Sequence, residues 1–183
     1  MDIRDKTVKG YDFSKVASDF FGVKPSKKVL EIADYEFFWD TGDQLAPFGS
    51  EEGYIAFMEL KEWLDENPGK PIIEYFKWVF SIWDMELSDF DDKIIEEDNI
   101  LKTIQDYDFD DTILAFDVTL IASGFGQLII QGKIDESIKN IVHLAILRQS
   151  SSIVLNHFLF DKESWKYDRF RYLQILIEIL EKV

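Results

Sequence analysis

Residues 111–131 read DTILAFDVTLIASGFGQLIIQ, and the fold turns on whether this stretch is one helix or two strands. Wound as a helix, it places Ile113, Phe116, Leu120, Gly124 and Leu128 on one face, and Leu114, Val118, Ile121, Phe125 and Ile129 on a second. Apolar residues on two faces describe a helix enclosed by other elements, and Gly124 with Gly126 would let neighbouring backbone approach closely. Read as strands, the same residues make a β-hairpin around 113–131 that turns at Ser123-Gly124-Phe125-Gly126. Each glycine costs a helix roughly 1 kcal/mol relative to alanine, which favours the hairpin. Against it, a lone hairpin is only marginally stable and the flanking segments all carry helical patterns. The expectation is therefore an all-α chain, a multi-helix bundle or a short stack of antiparallel helical hairpins; the alternative is an α+β fold with that hairpin.

Working outward, Asp135 is positioned to cap a helix from Glu136 to about Gln149, with Ile138, Ile141, Val142, Ala145 and Ile146 inward. Ser150, Ser151 and Ser152 interrupt, Ile153 to Phe160 forms another apolar piece, and a final helix begins at Asp161 or Ser164. On the other side, Asp12 or Ser14 caps a short helix through Phe20 and Phe21, which Gly22 ends. Ser26 opens a run to about Trp39 with Val29, Ile32, Ala33 and Phe37 in one stripe. Residues 41–49 break the pattern as a loop. Ser50, Glu51 and Glu52 then start a helix carrying Ile55, Met58, Leu60 and Trp63, which stops near Asn67-Pro68-Gly69. Pro71 suits the first turn of the next, apolar on Ile72, Ile73, Tyr75, Phe76, Val79, Phe80 and Trp83. The polar stretch 84–111 holds one amphipathic helix with Ile94, Ile95, Leu101 and Ile104 on its apolar side. No fixed-period repeat or low-complexity linker appears, so residues 1–183 read as one helical domain, with 84–111 the only place for a subdomain seam.

Composition narrows the function classes. The chain has 20 Lys plus Arg against 36 Asp plus Glu, a net charge of −16, with 46% hydrophobic residues and no cysteine. The apolar content excludes intrinsic disorder. The missing cysteines exclude disulfides, thiol nucleophiles and zinc–thiolate sites. The acidic balance opposes direct nucleic-acid binding. No apolar run approaches the roughly 18–20 residues of a membrane span, so no membrane association is expected. The opening residues alternate in charge without an apolar core, and the expected compartment is the cytoplasm.

Catalytic signatures are absent. His143 and His157 are the only histidines, both read as structural, and no HExxH, Glu-x-x-His or Ser-His-Asp spacing occurs. The nearest approach to a motif is Asp106-Tyr107-Asp108-Phe109-Asp110-Asp111, which with Asp117 puts carboxylates at positions 1, 3, 5 and 12 of a calcium loop. Asp111 stands where that loop needs glycine, and Asp117 is shorter than the usual bidentate glutamate. Asp106, Asp108, Asp110 and Asp117 are thus weak metal candidates, the plainer reading being an acidic turn that caps the next helix. No cofactor is expected.

Charge localisation says more. Residues 84–111 hold twelve carboxylates against Lys93 and Lys102, a net charge of −10 in 28 residues. Asp89, Asp91, Asp92, Glu96, Glu97 and Asp98, with Phe90 and Tyr107 interleaved, form a candidate docking face for a basic protein, the charges steering the encounter and the aromatics anchoring the complex. In composition alone the chain is similar to bacterial immunity proteins, small acidic inhibitors of basic toxins. The expected function is a non-enzymatic acidic binding protein. The alternatives are a carboxylate-based metal- or calcium-binding protein or enzyme, and a helical peptide-binding scaffold using Trp39, Trp63, Trp78 and Trp83.

Overall fold

The stretch that decides the fold is a single 20-residue helix. The computed structural model describes residues 12–106, 112–159 and 161–183. Among them are ten α-helices and no strand: α1 Phe13–Val16, α2 Lys27–Ile32, α3 Glu36–Trp39, α4 Glu51–Glu66, α5 Ile73–Ile82, α6 Glu97–Asp106, α7 Thr112–Gln131, α8 Glu136–Ser150, α9 Ser152–Phe158 and α10 Glu163–Glu181. The chain is an all-α bundle, and the hairpin alternative around 113–131 is overturned.

Close packing explains how α7 carries its glycines. It lies between α4 and α8, and α8 packs in turn on α10. A Cβ on Gly124 would stand 2.4 Å from Val142 Cγ2 of α8, and one on Gly126 would meet Leu60 and Phe57 of α4 at 3.0 and 3.2 Å. The two glycines sit at the two helix crossings. Their conformational cost is offset by the burial that close approach permits, from Phe116 through Ile129 without a break. By length and composition α7 could cross a membrane, the only described helix of which this holds, and it is mostly buried within the fold. Asp117, Thr119, Ser123 and Gln127, spaced along the helix, keep its unbroken apolar runs short.

Those polar residues are hydrogen-bonded, as burial demands. Thr119 Oγ1 donates to Ala115 O (2.9 Å), Gln127 Nε2 to Gln131 Oε1 (2.9 Å), and Gln127 Oε1 accepts from Asp135 N (2.9 Å) at the start of α8. Ser123 Oγ lies 3.5 Å from Tyr75 Oη, which itself donates to Ala56 O at 3.3 Å. Burial pushes the Tyr75 phenol up to about 12.

Four helix starts follow the predicted caps: Ser26 and Ser50 each accept a backbone N–H three residues on, and Asp12 and Asp135 cap α1 and α8. Ser151, expected only to interrupt the helices, caps α9 in the same way, and α10 starts after Lys162 with no side-chain cap from Asp161 or Ser164. Gly22 ends the first helical segment in the left-handed region, φ 62°. Two further boundaries and the facing of α4 differ from expectation. The run 26–39 breaks into α2 and α3, because Ala33 O leaves the helical ladder to accept from Trp39 Nε1 (2.8 Å) and Tyr35 N (2.9 Å). Ile94 and Ile95 lie in a 3₁₀ turn ahead of α6 instead of inside it. On α4 the buried stripe is Gly53, Ala56, Phe57 and Leu60, which turns Ile55 and Met58 outward.

Candidate functional site

The acidic segment leaves α5 through a tight reversal. Asp84 adopts φ 53°, a left-handed conformation that aspartate tolerates, while Met85 N reaches back to Phe80 O at 3.0 Å. Two 3₁₀ turns follow, Leu87–Asp89 and Asp92–Ile95, and then α6. Asp91 Oδ1 accepts from Lys93 N (2.9 Å), and Asn99 Nδ2 donates to Lys93 O (2.9 Å), tying the second turn to α6. Asp89, Asp91, Asp92, Glu96, Glu97 and Asp98 are all exposed. The described ion pair within the segment, Lys93–Asp91 at 3.8 Å, has both partners largely in solvent and neutralises little.

The aromatics of this segment point the other way. Phe90 is half-buried, edge-on to Phe80 (5.3 Å between ring centroids) and Phe116 (5.9 Å), and Trp83 packs on Phe116 at 5.7 Å. The Arg148 guanidinium covers the Phe90 ring at 5.1 Å. Phe90 therefore fixes the acidic surface to the core. Tyr107 lies outside the described residues.

Arg148 is held in turn by Asp117. Its Nη2 donates to Asp117 Oδ1 (2.6 Å), its Nε to Oδ2 (3.0 Å), and Gln149 Nε2 also donates to Oδ2 (2.9 Å), all three residues being buried. Both oxygens of the carboxylate weighed as the twelfth ligand of a calcium loop are thus committed to a structural pair. Asp108 and Asp110 lie outside the described residues, as does the side chain of Asp106. Among the described residues no three His, Asp or Glu side chains converge as a metal site would require.

The tryptophans do not form a common groove. Trp39 is buried, Trp63 and Trp83 are half-buried, and Trp78 is partly exposed. His143 is half-buried in a shallow hollow beside Lys139 and Ile177, and His157 is exposed, edge-on to Phe158.

Two features escaped the sequence reading. The first is the outer face of α4, where Tyr54, Ile55 and Met58 are exposed among Glu59, Glu62, Asp65 and Glu66. Lys61 does not neutralise this face, since its Nζ donates inward to Phe21 O at 3.1 Å. A helical wheel aligned on Ala56, Phe57 and Leu60 would have placed these apolar residues outside. The second is a cavity of about 400 Å³ whose walls come from the 44–50 loop, the start of α4, α7, α9 and α10. Leu114, Val118, Val154, Leu155, Phe158 and Trp165 make its apolar lining, and Arg169 and Gln149 contribute polar groups. Arg169 is 7% exposed; its Nη1 donates to Leu45 O at 2.7 Å. Burial lowers the Arg169 guanidinium to about 10 against the opposing pull of Asp117 and Asp43, leaving it charged at neutral pH. A fold-dependent cavity of this kind leaves no local motif in the sequence.

The molecule is an all-α acidic bundle with a carboxylate surface and an apolar-lined cavity of about 400 Å³ that holds a buried arginine. No protein-family model, no curated protein and no solved structure matches it.

Proposed function

We propose that this chain is a non-enzymatic binding protein of the cytoplasm that captures a basic protein through the surface formed by Asp89, Asp91, Asp92, Glu96, Glu97 and Asp98. The observation that carries this reading is the opposition of charge and anchor. All six carboxylates are exposed, while Phe90 and Trp83 hold the segment against Phe80 and Phe116. A charged surface fixed to a core loses less conformational freedom on binding than a mobile tail, and its field raises the association rate with a cationic partner. An immunity-like inhibitor of a basic toxin is the narrower form of this proposal.

The outer face of α4 supports a second docking surface, because it combines the carboxylates of Glu59, Glu62, Asp65 and Glu66 with exposed Tyr54, Ile55 and Met58. Anchors of that type usually supply the binding energy that charges alone do not.

Capture from lysate by the immobilised protein, eluted along a salt gradient, separates the two. One variant changes Asp89, Asp92, Glu97 and Asp98 to Lys; the other changes Glu59, Glu62, Asp65 and Glu66 to Lys. The net charge changes equally in both. Loss of capture in the first variant alone is the expected result, and loss in the second alone transfers the site to α4. Equal weakening of both would reduce the effect to net charge, and no salt-sensitive capture by the native chain would sink the docking function altogether.

A further inference from the structure

We propose that the cavity bounded by α4, α7, α9 and α10 binds a small monocarboxylate with an apolar body, its carboxylate seated on Arg169. The volume of about 400 Å³ falls within the roughly 300–1,000 Å³ of small-molecule sites, and a mainly apolar wall with few polar groups is the usual composition of such sites. Arg169 supplies the polar contact. A guanidinium carries five N–H donors in a planar fork, yet among the described residues this one donates to Leu45 O and forms no ion pair. The two carboxylates in its field are engaged elsewhere: Asp117 by Arg148 and Gln149, and Asp43 by Leu45 N and the Tyr172 hydroxyl, each at 2.9 Å. A buried cation with unused donors beside an apolar space matches a ligand that brings one carboxylate and a hydrocarbon or aromatic body.

Neighbouring groups narrow the class. Ser50, Glu51 and Glu52 line the same cavity at the start of α4, where first-turn N–H groups point outward and favour negative charge. The carboxylates of Glu51 and Glu52 are exposed there and oppose a second charge on the ligand. A phosphate dianion is disfavoured on both counts, by charge and by lack of an apolar body. Lys162, stacked over Trp165 at 4.1 Å, also lines the space.

The test is calorimetric titration of the full chain with octanoate and phenylacetate, with octan-1-ol and inorganic phosphate as controls. At least one of the two carboxylates is expected to bind at least tenfold more tightly than octanol or phosphate. Arg169→Gln removes that preference, and Ala115→Phe, which takes up part of the cavity while residue 169 is unchanged, weakens binding at least tenfold. Absence of binding by both carboxylates would overturn the proposal, as would equal affinity for octanol, equal affinity for phosphate, or binding unweakened by Ala115→Phe. Should Arg169→Gln fail to fold, the octanol comparison and Ala115→Phe still decide the matter.

Discussion

Helix α7 and the segment from Asp84 to Asp98 meet at Phe116, where Trp83 and Phe90 rest, but they are constrained in opposite ways. In α7 almost every side chain is enclosed, and its one carboxylate needs three donors from α8. In the acidic segment Phe90 faces inward, beside the preceding Trp83, and the charges face water. Position by position, α7 is fixed by what touches it. The acidic segment is fixed at a few anchors and is otherwise free to serve a partner. Substitutions in the two regions should therefore separate stability from binding.

The largest effect is expected at Asp117. Changing it to Asn keeps the shape but leaves the Arg148 guanidinium buried without its counter-charge, which costs about 3–5 kcal/mol. Urea unfolding measures this directly. The double variant Asp117→Asn, Arg148→Met should recover most of the loss, because it removes the stranded charge. A loss below about 1 kcal/mol for the single change would mean that the pair does not hold α7 to α8.

Next is an alkaline effect at Tyr75, whose hydroxyl meets Ser123 of α7. The folded-state value of about 12 lies above the unfolded value near 10, so the native state holds the proton more tightly. Its contribution, on the order of 2–3 kcal/mol, is complete below about pH 10 and is lost as pH rises through about 12. The stability difference between the wild type and Tyr75→Phe should move in favour of the phenylalanine variant across that window. A difference independent of pH from 9 to 12 would contradict the buried, neutral phenol.

The glycines of α7 give a smaller and more pointed contrast. Gly124→Ala gains about 1 kcal/mol of helix propensity but drives Cβ into Val142, a side chain with little rotamer freedom in a helix. A net loss of about 1–3 kcal/mol is expected, relieved when Val142→Ala is added. Gly126→Ala meets only the ends of Leu60 and Phe57 and should stay within about 1 kcal/mol of wild type. Equal effects at the two positions, read by thermal unfolding, would show that the crossings are not what selects glycine.

This contrast also marks what the sequence could and could not disclose. The two-faced pattern of 111–131 identified a buried helix, and serines at 26 and 50 with aspartates at 12 and 135 located helix starts, because capping is chemistry within three residues. What it counted against α7, glycine's propensity cost, was a local term outweighed by a tertiary one, the approach of α4 and α8. The same limit applies to Ile55 and Met58, whose direction depends on which stripe of α4 faces α7. It applies most strongly to Arg169, whose neighbour Leu45 is 124 residues away. The acidic surface was legible because charge density is a property of consecutive residues; the inward direction of Phe90 was not, because it depends on Phe80, Phe116 and Arg148.

The smallest structural effect should come from the largest change of charge. Reversing Asp89, Asp92, Glu97 and Asp98 to Lys alters the net charge from −16 to −8, yet none of the four is buried. Asp91 and Glu96 are left intact because they accept from Lys93 N and from Asn99 Nδ2, so the local turns persist. Two opposing terms act on the variant. Lysines at 97 and 98 sit in the first turn of α6, where the helix dipole disfavours cations by some tenths of a kcal/mol each. Relief of repulsion among neighbouring carboxylates acts in the other direction, and exposed substitutions usually stay within about 0.5 kcal/mol. The midpoint of urea unfolding should therefore barely move while salt-sensitive capture disappears. An unfolding loss as large as that of Asp117→Asn would show that these carboxylates hold the fold, and the separation between a structural α7 and a docking surface beside it would fail.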